Sequence, residues 1–208
     1  MRRAIEQFDI NLQSARQLGL IHQAFVEKVT VAVNLDELLR AELVLAVSAL
    51  DCYIHDIVRI GMTHFFTVTS GESNAYRNFD VSLGFAKRIA ICSESDRSAL
   101  VEEEIRRIHG FRTFQNADKI SQAFALIGIQ AIWDKVGESM SLPPTDVKRR
   151  LDIIVDRRNR IAHESDIDPT MGIGTKYPID YPMIHQSVEF LDRIVRAIHS
   201  VIISEVVA

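Results

Sequence analysis

Residue types suited to phosphate chemistry lie close together in the segment Arg158-Asn159-Arg160-Ile161-Ala162-His163. Arginine presents a planar donor fork matched to phosphate oxygens. Histidine titrates near neutrality and suits proton transfer. Asn159 can orient His163 or bind a phosphate itself. On a helix Asn159 and His163 share a face, while Arg158 sits roughly 140° around from His163 at 100° per residue. A long arginine side chain can still swing into a cleft shared with that histidine. Lys148, Arg149, Arg150, Arg157, Arg158 and Arg160 give the stretch a basic excess within a chain of net charge −4. Such a chain has no global field toward nucleic acid or an anionic membrane, so any RNA or DNA contact depends on a local patch. The plain alternative is structural. A cation near a helix C-terminus is favoured by the macrodipole, and a buried arginine can serve packing alone.

Spacing by itself does not single out this segment, because Arg16…His22, Arg59…His64 and Arg193…His199 also place arginine and histidine four to six residues apart. The Arg158 copy differs in its adjacent Asn159, its surrounding arginines and its position before a long loop. Arg16-Gln17 is the nearest competitor. Within the motif helix Val147, Leu151, Ile154 and Ile161 define an inward face, and Arg158 fills the missing place in that series. A desolvated guanidinium needs acceptors. Asp51, set among Val47, Leu50, Ile54 and Val58, is an acid on the apolar face of another helix, and the expectation is that it meets Arg158 or a neighbouring arginine inside the bundle.

The elements that must position these residues read as helices. Only five prolines and nine glycines interrupt 208 positions, and no repeat or linker divides them, so one domain over residues 1–208 is expected. The pattern predicts a first helix from Arg3 to Thr30, with Gly19 as a weak point. The second starts at Asn34, whose capping box is completed by Glu37, and runs to about Phe66. A loop spans Thr67 to Asn78. A short helix near Val81 to Ile91, another from Asp96 to His109 stopped by Gly110, and a long one from Asn116 to Met140 follow. Thr145 then caps the motif helix, which reaches about His163. After a loop from Ser165 to Asp180, the last helix begins near Pro182. Its stripe Ile184, Val188, Leu191, Val195, Ile198, Ile202 forms a seam for the bundle interior or for another subunit.

Several other chemistries find no support. The chain has no H-E-x-x-H, and its seven histidines lack metal-ligand spacing, so neither metal nor cofactor is expected. Gly172-Ile173-Gly174-Thr175-Lys176 lacks the frame of a phosphate loop and reads as a flexible turn. No nucleophile elbow is present. Cys52 and Cys92 read as buried free thiols of a reducing compartment. Met1-Arg2-Arg3-Ala4-Ile5-Glu6 carries no signal-type apolar run, and the longest uncharged stretch, between Lys119 and Asp134, is too short for a membrane span. A cytoplasmic protein with no membrane partner is expected.

Arg158-Asn159-x-x-x-His163 resembles the R-x4–6-H motif of HEPN domains, which usually carry a polar residue directly after the arginine. Glu42-Leu43-Val44-Leu45-Ala46-Val47-Ser48-Ala49-Leu50-Asp51-Cys52-Tyr53 resembles the corresponding helix of the RiboL-PSP branch, which often has an acid near the position of Asp51. The resemblance implies an all-α, HEPN-like helical bundle with extra helices between the second core helix and the motif helix. It also implies a metal-independent endoribonuclease in which a ribose 2′-OH attacks the adjacent phosphate, leaving a 2′,3′-cyclic phosphate and a 5′-OH. Arg158, Asn159 and His163 would be catalytic, with Asp51, Arg157 and Arg160 supporting them. A two-fold homodimer would join two motifs in one cleft, RNA would be the substrate, and a toxin or defence role with an antitoxin or other defence-system partner would fit. Two alternatives stay open: a non-catalytic HEPN-like interaction module, and a small-ligand or nucleotide-binding helical domain.

Overall fold

Leu39, Leu43, Val47, Leu50, Ile54 and Val58 step by three or four residues, and burying all six makes their helix the axis of the molecule. The computed structural model describes residues 1–28, 33–68 and 72–206. Among these residues the helices are α1 (Arg2–Phe25), α2 (Asp36–Thr67), α3 (Asn74–Arg77), α4 (Leu83–Ile91), α5 (Glu94–His109), α6 (Ala117–Leu126), α7 (Ile132–Met140), α8 (Pro144–Glu164) and α9 (Tyr181–Val206). The chain is an all-α domain, and an isolated bridge between Ile167 and Lys176 is the extent of β pairing among the described residues. Helices α1, α5, α6, α8 and α9 pack on α2, while α7 lies against α8 and α9. The extra helices α3 to α7 fall between the second core helix and the motif helix, as expected. No described helix is long and apolar enough to cross a membrane.

The α9 seam is used within the chain. Ile184, Val188, Leu191, Val195, Ile198 and Ile202 are all buried against the bundle, so any contact between subunits must use another surface. Gly19 does not weaken α1, which runs through it to Phe25; Thr30 lies outside the described residues. A Cβ at Gly19 would collide with the buried carboxylate of Glu42, so the glycine permits the close approach of α1 to α2. The capping box at the start of α2 does not form. Asn34 Oδ1 accepts from the Asp36 N–H at 2.9 Å, but Glu37 turns to Arg40 and Lys176.

The helix expected from Asn116 to Met140 is two. Asn116 caps α6 by accepting from the Lys119 N–H, and the chain then turns through left-handed Gly128 (φ 80°) and Ala131 (φ 51°) before α7 begins. Gly110 keeps a right-handed φ of −59°, so α5 does not end in the left-handed cap expected of it. Cys52 is exposed rather than buried, because it lies on the outward face of α2. Cys92 is half-buried, and both thiols are free.

Candidate active site

Helix α8 starts at Pro144, whose missing N–H costs nothing in the first turn. Thr145 makes no capping bond there, so proline supplies the start signal that was expected of Thr145. Val147, Leu151, Ile154 and Val155 bury the inward face, and basic residues crowd the other end. Beyond Glu164 the chain reverses through Ser165 (φ 54°) and Asp166 (φ 59°), two successive left-handed residues that are unfavourable without glycine.

Asp166 offsets that cost through its side chain. Fully buried, its Oδ2 accepts from Arg40 Nε on α2 and from Arg157 Nη2 on α8, both at 2.8 Å. The same two guanidinia reach the Tyr177 carbonyl at 2.9 and 3.3 Å, and Arg157 also donates to the Pro178 carbonyl at 3.1 Å. The Asp166 N–H donates to the Arg160 carbonyl, and the Tyr177 N–H donates to the Asp166 carbonyl. Arg157 and Arg160 lie 5.3 and 5.5 Å from the centre of the Tyr177 ring. The loop after the motif is therefore fastened to α2 and α8 by one carboxylate and two arginines. Burial pulls the Arg157 guanidinium below its ordinary value, opposed by Asp166 and reinforced by the Arg40 and Arg160 cations.

Arg158 is used differently. It is half-buried, its Nη1 donates to Asn159 Oδ1 at 3.1 Å, and among the described residues no carboxylate pairs with it. Its Nε is buried without an acceptor. Arg160 likewise has no carboxylate among the described residues, and His163 is exposed at the end of the helix. The structure thus gathers Arg157, Arg158, Asn159, Arg160 and His163 at one end of α8. Asn159 bonds to Arg158 there.

Asp51 is not part of this cluster. Its Oδ1 accepts from the Phe114 N–H at 2.6 Å and its Oδ2 from Gln115 Nε2 at 3.2 Å, with His55 Nε2 3.7 Å from Oδ1. The expected pairing of Asp51 with Arg158 is corrected: neutral donors from the α5–α6 loop satisfy the acid, and Asp166 supplies the anion for the motif helix. Arg40, Asp166 and Tyr177 were not foreseen. Arg40 had a signal, since it falls three residues before Leu43 in the buried stripe of α2. Asp166 and Tyr177 lie in a loop without periodicity.

The competing arginine–histidine pairs are occupied elsewhere. Arg16 binds Glu189 and Asp192, and Arg59 binds Asp56 and Glu102. In the third pair, His199 Nδ1 is hydrogen-bonded to the Tyr53 hydroxyl at 3.0 Å. Among the described residues, only the Arg158 pair combines an arginine free of carboxylates with a histidine open to solvent. Among the described residues no group of three or more His, Cys, Asp or Glu side chains is placed to hold a metal.

A family model described as RiboL-PSP-HEPN matches residues 11–204. No curated protein and no solved structure matches the chain.

Proposed function

The chain belongs to the RiboL-PSP-HEPN family, and we propose that it is a metal-independent endoribonuclease cleaving RNA by attack of a ribose 2′-OH on the adjacent phosphate. The observation carrying this reading is Arg158, a guanidinium free of carboxylates on the same helix end as an exposed His163. An arginine already neutralised by an acid, as Arg157 is, has little left for a phosphate. Arg158 offers its fork to the non-bridging oxygens as charge builds on the phosphorane, and Arg160 adds positive potential. His163 exchanges the proton with the 2′-OH or with the leaving 5′-oxygen. One histidine supplies one of these transfers. A two-fold homodimer that joins two motifs supplies the other, and this is the composite site we assign. A cytoplasmic toxin or defence enzyme held in check by an antitoxin or another defence protein fits such an activity.

Purified protein is expected to cleave single-stranded RNA in excess EDTA and to leave DNA intact. His163→Ala should lower the rate by 10²-fold or more, on the order of what one lost proton-transfer group costs. Its fold should survive, since a helix-end histidine is worth at most about 1–2 kcal/mol. Arg158→Lys should be impaired at least about tenfold, because lysine keeps the charge and loses the fork. His64→Ala and Arg193→Ala, at exposed members of the competing pairs, should keep full activity. Undiminished cleavage by His163→Ala would move the activity away from this site.

The net charge of −4 and the structural use of Arg157 favour a second reading, a non-catalytic interaction module. It takes precedence if neither structured nor unstructured RNA is cut by the wild-type chain.

A further inference from the structure

Away from the motif, a cavity of about 580 Å3 opens between α6 and the loop that joins it to α5. Its lining includes Phe111, Arg112, Lys119, Gln122, Ala123 and Leu126. Phe111 is 92 % exposed, unusual for so large an apolar side chain. Arg112 and Lys119 are both exposed, and among the described residues neither pairs with a carboxylate. The nearby acid Asp118 lies 3.4 Å from Lys148 instead.

The loop is held in place while it presents this aromatic ring. Its Arg112 N–H donates to the His109 carbonyl at 2.8 Å, and His55 Nε2 lies 3.2 Å from the Arg112 carbonyl. Asp51 then grips the Phe114 N–H and the Gln115 amide. This half-buried acid of α2 therefore holds the loop that borders the groove. On the other side, the Ala117 N–H at the start of α6 donates to Asp152 of α8 at 3.0 Å. Asp152 and His163 are eleven residues apart, which puts them on one face of α8 and about 16 Å apart along its axis.

An exposed ring on a hydrogen-bonded loop, flanked by two cations without carboxylate partners among the described residues, matches the chemistry of a single-stranded nucleic acid, whose bases stack and whose phosphates need positive charge. We propose that this groove is an accessory site for single-stranded RNA, with a base on Phe111 and the backbone against Arg112 and Lys119. The proposal rests on the reading of the chain as an RNA-acting protein, and it extends the path of the substrate beyond the reacting phosphate. Stacking does not sense the 2′-OH, so the groove accepts single-stranded DNA, which the motif cannot cut.

The test is fluorescence anisotropy with labelled oligouridine, oligoadenine and single-stranded DNA on the full His163→Ala chain. Adding Phe111→Ala should weaken binding about tenfold, the usual loss for one stacked base. Adding Arg112→Glu with Lys119→Glu should weaken it further and flatten its salt dependence. A Phe111→Trp chain should keep its affinity, and its indole fluorescence should be quenched by oligonucleotide. Single-stranded DNA should inhibit RNA cleavage by the wild-type chain. Equal affinity in the triple groove variant and its parent would overturn the proposal, as would absence of binding by the parent. Binding and quenching without cleavage would uphold the groove while removing the catalytic reading. Cleavage and binding indifferent to all groove substitutions would remove the groove and leave the catalytic reading standing.

Discussion

At one end of α2 a fully buried carboxylate, Asp166, accepts from two guanidinia; further along the same helix a partly exposed one, Asp51, accepts from a backbone N–H and a side-chain amide. Both acids fasten a loop, yet the chemistry differs. The Asp166 station sets Arg40 and Arg157 around one buried anion, with Glu37 reaching Arg40 from the exposed side at 3.2 Å, and Arg158 and Arg160 add positive charge nearby. The Asp51 station has neutral donors, with only the nearby His55 able to carry charge. The first therefore depends on a full negative charge, and the second mainly on well-placed acceptor oxygens. A polar residue in a buried stripe announces that it must be satisfied, without announcing whether a charge or a dipole will do it.

Asn substitutions separate the two stations. Asp166→Asn keeps the shape and deletes the buried charge, leaving Arg157 without a carboxylate and Arg40 with Glu37 alone. A loss of about 3–5 kcal/mol is expected in denaturant unfolding, with earlier proteolysis in the loop of residues 165–180. A loss below about 1 kcal/mol would mean that Glu37 and the carbonyls of Tyr177 and Pro178 suffice for both arginines.

Glu42 sharpens the comparison as a buried acid with no comparable partner. It is 1 % exposed, its Oε2 has no hydrogen-bond donor among the described residues, and burial pushes its carboxyl up to about 7 against the pull of Arg16. Because the folded value is raised, the stabilising contribution is complete below the unfolded value near 4.5 and is lost as pH rises through about 7. Glu42→Gln should remove this dependence. The variant should be more stable than wild type by about 3 kcal/mol at alkaline pH and equal to it in acid, read by thermal melts across the range. A wild-type curve parallel to that of the variant would show Glu42 charged without penalty.

The smallest effect is expected at the neutral station. Asp51→Asn retains one acceptor oxygen for the Phe114 N–H and should cost about 1 kcal/mol or less, the scale of a single net hydrogen bond. A loss as large as that of Asp166→Asn would mean that Asp51 serves as a charge after all.

These contrasts mark what was legible beforehand. The stripes of α2 and α9 set out the core because a face of six apolar positions at helical spacing has only one way to lose its water. The break between α6 and α7 was hidden, since Leu126-Ile127-Gly128-Ile129 keeps the apolar character of a continuing helix and the turn depends on left-handed backbone at Gly128 and Ala131. In the motif helix the inward register flagged an arginine needing an acid, but Arg157 and Arg158 both follow Ile154 by about one turn. Periodicity makes an acid visible on α2, at Asp51. Asp166 instead stands in a loop, where only the folded turn brings it under α8. The same reading marks Arg158, Asn159 and His163 from residue type alone, and what separates that pair from the competing ones among the described residues is an arginine free of carboxylates together with a histidine open to solvent, a property of the fold.

The central claim is that Arg158 and His163 act on RNA through its own 2′-OH, and the ends of the cleaved strands report on it most directly. RNA incubated with the purified chain in EDTA should yield fragments ending in a 2′,3′-cyclic phosphate and beginning with a 5′-OH, by mass spectrometry, and His163→Ala should yield neither. Fragments carrying a 3′-OH and a 5′-phosphate, or cyclic phosphate produced equally by the His163→Ala chain, would contradict the account.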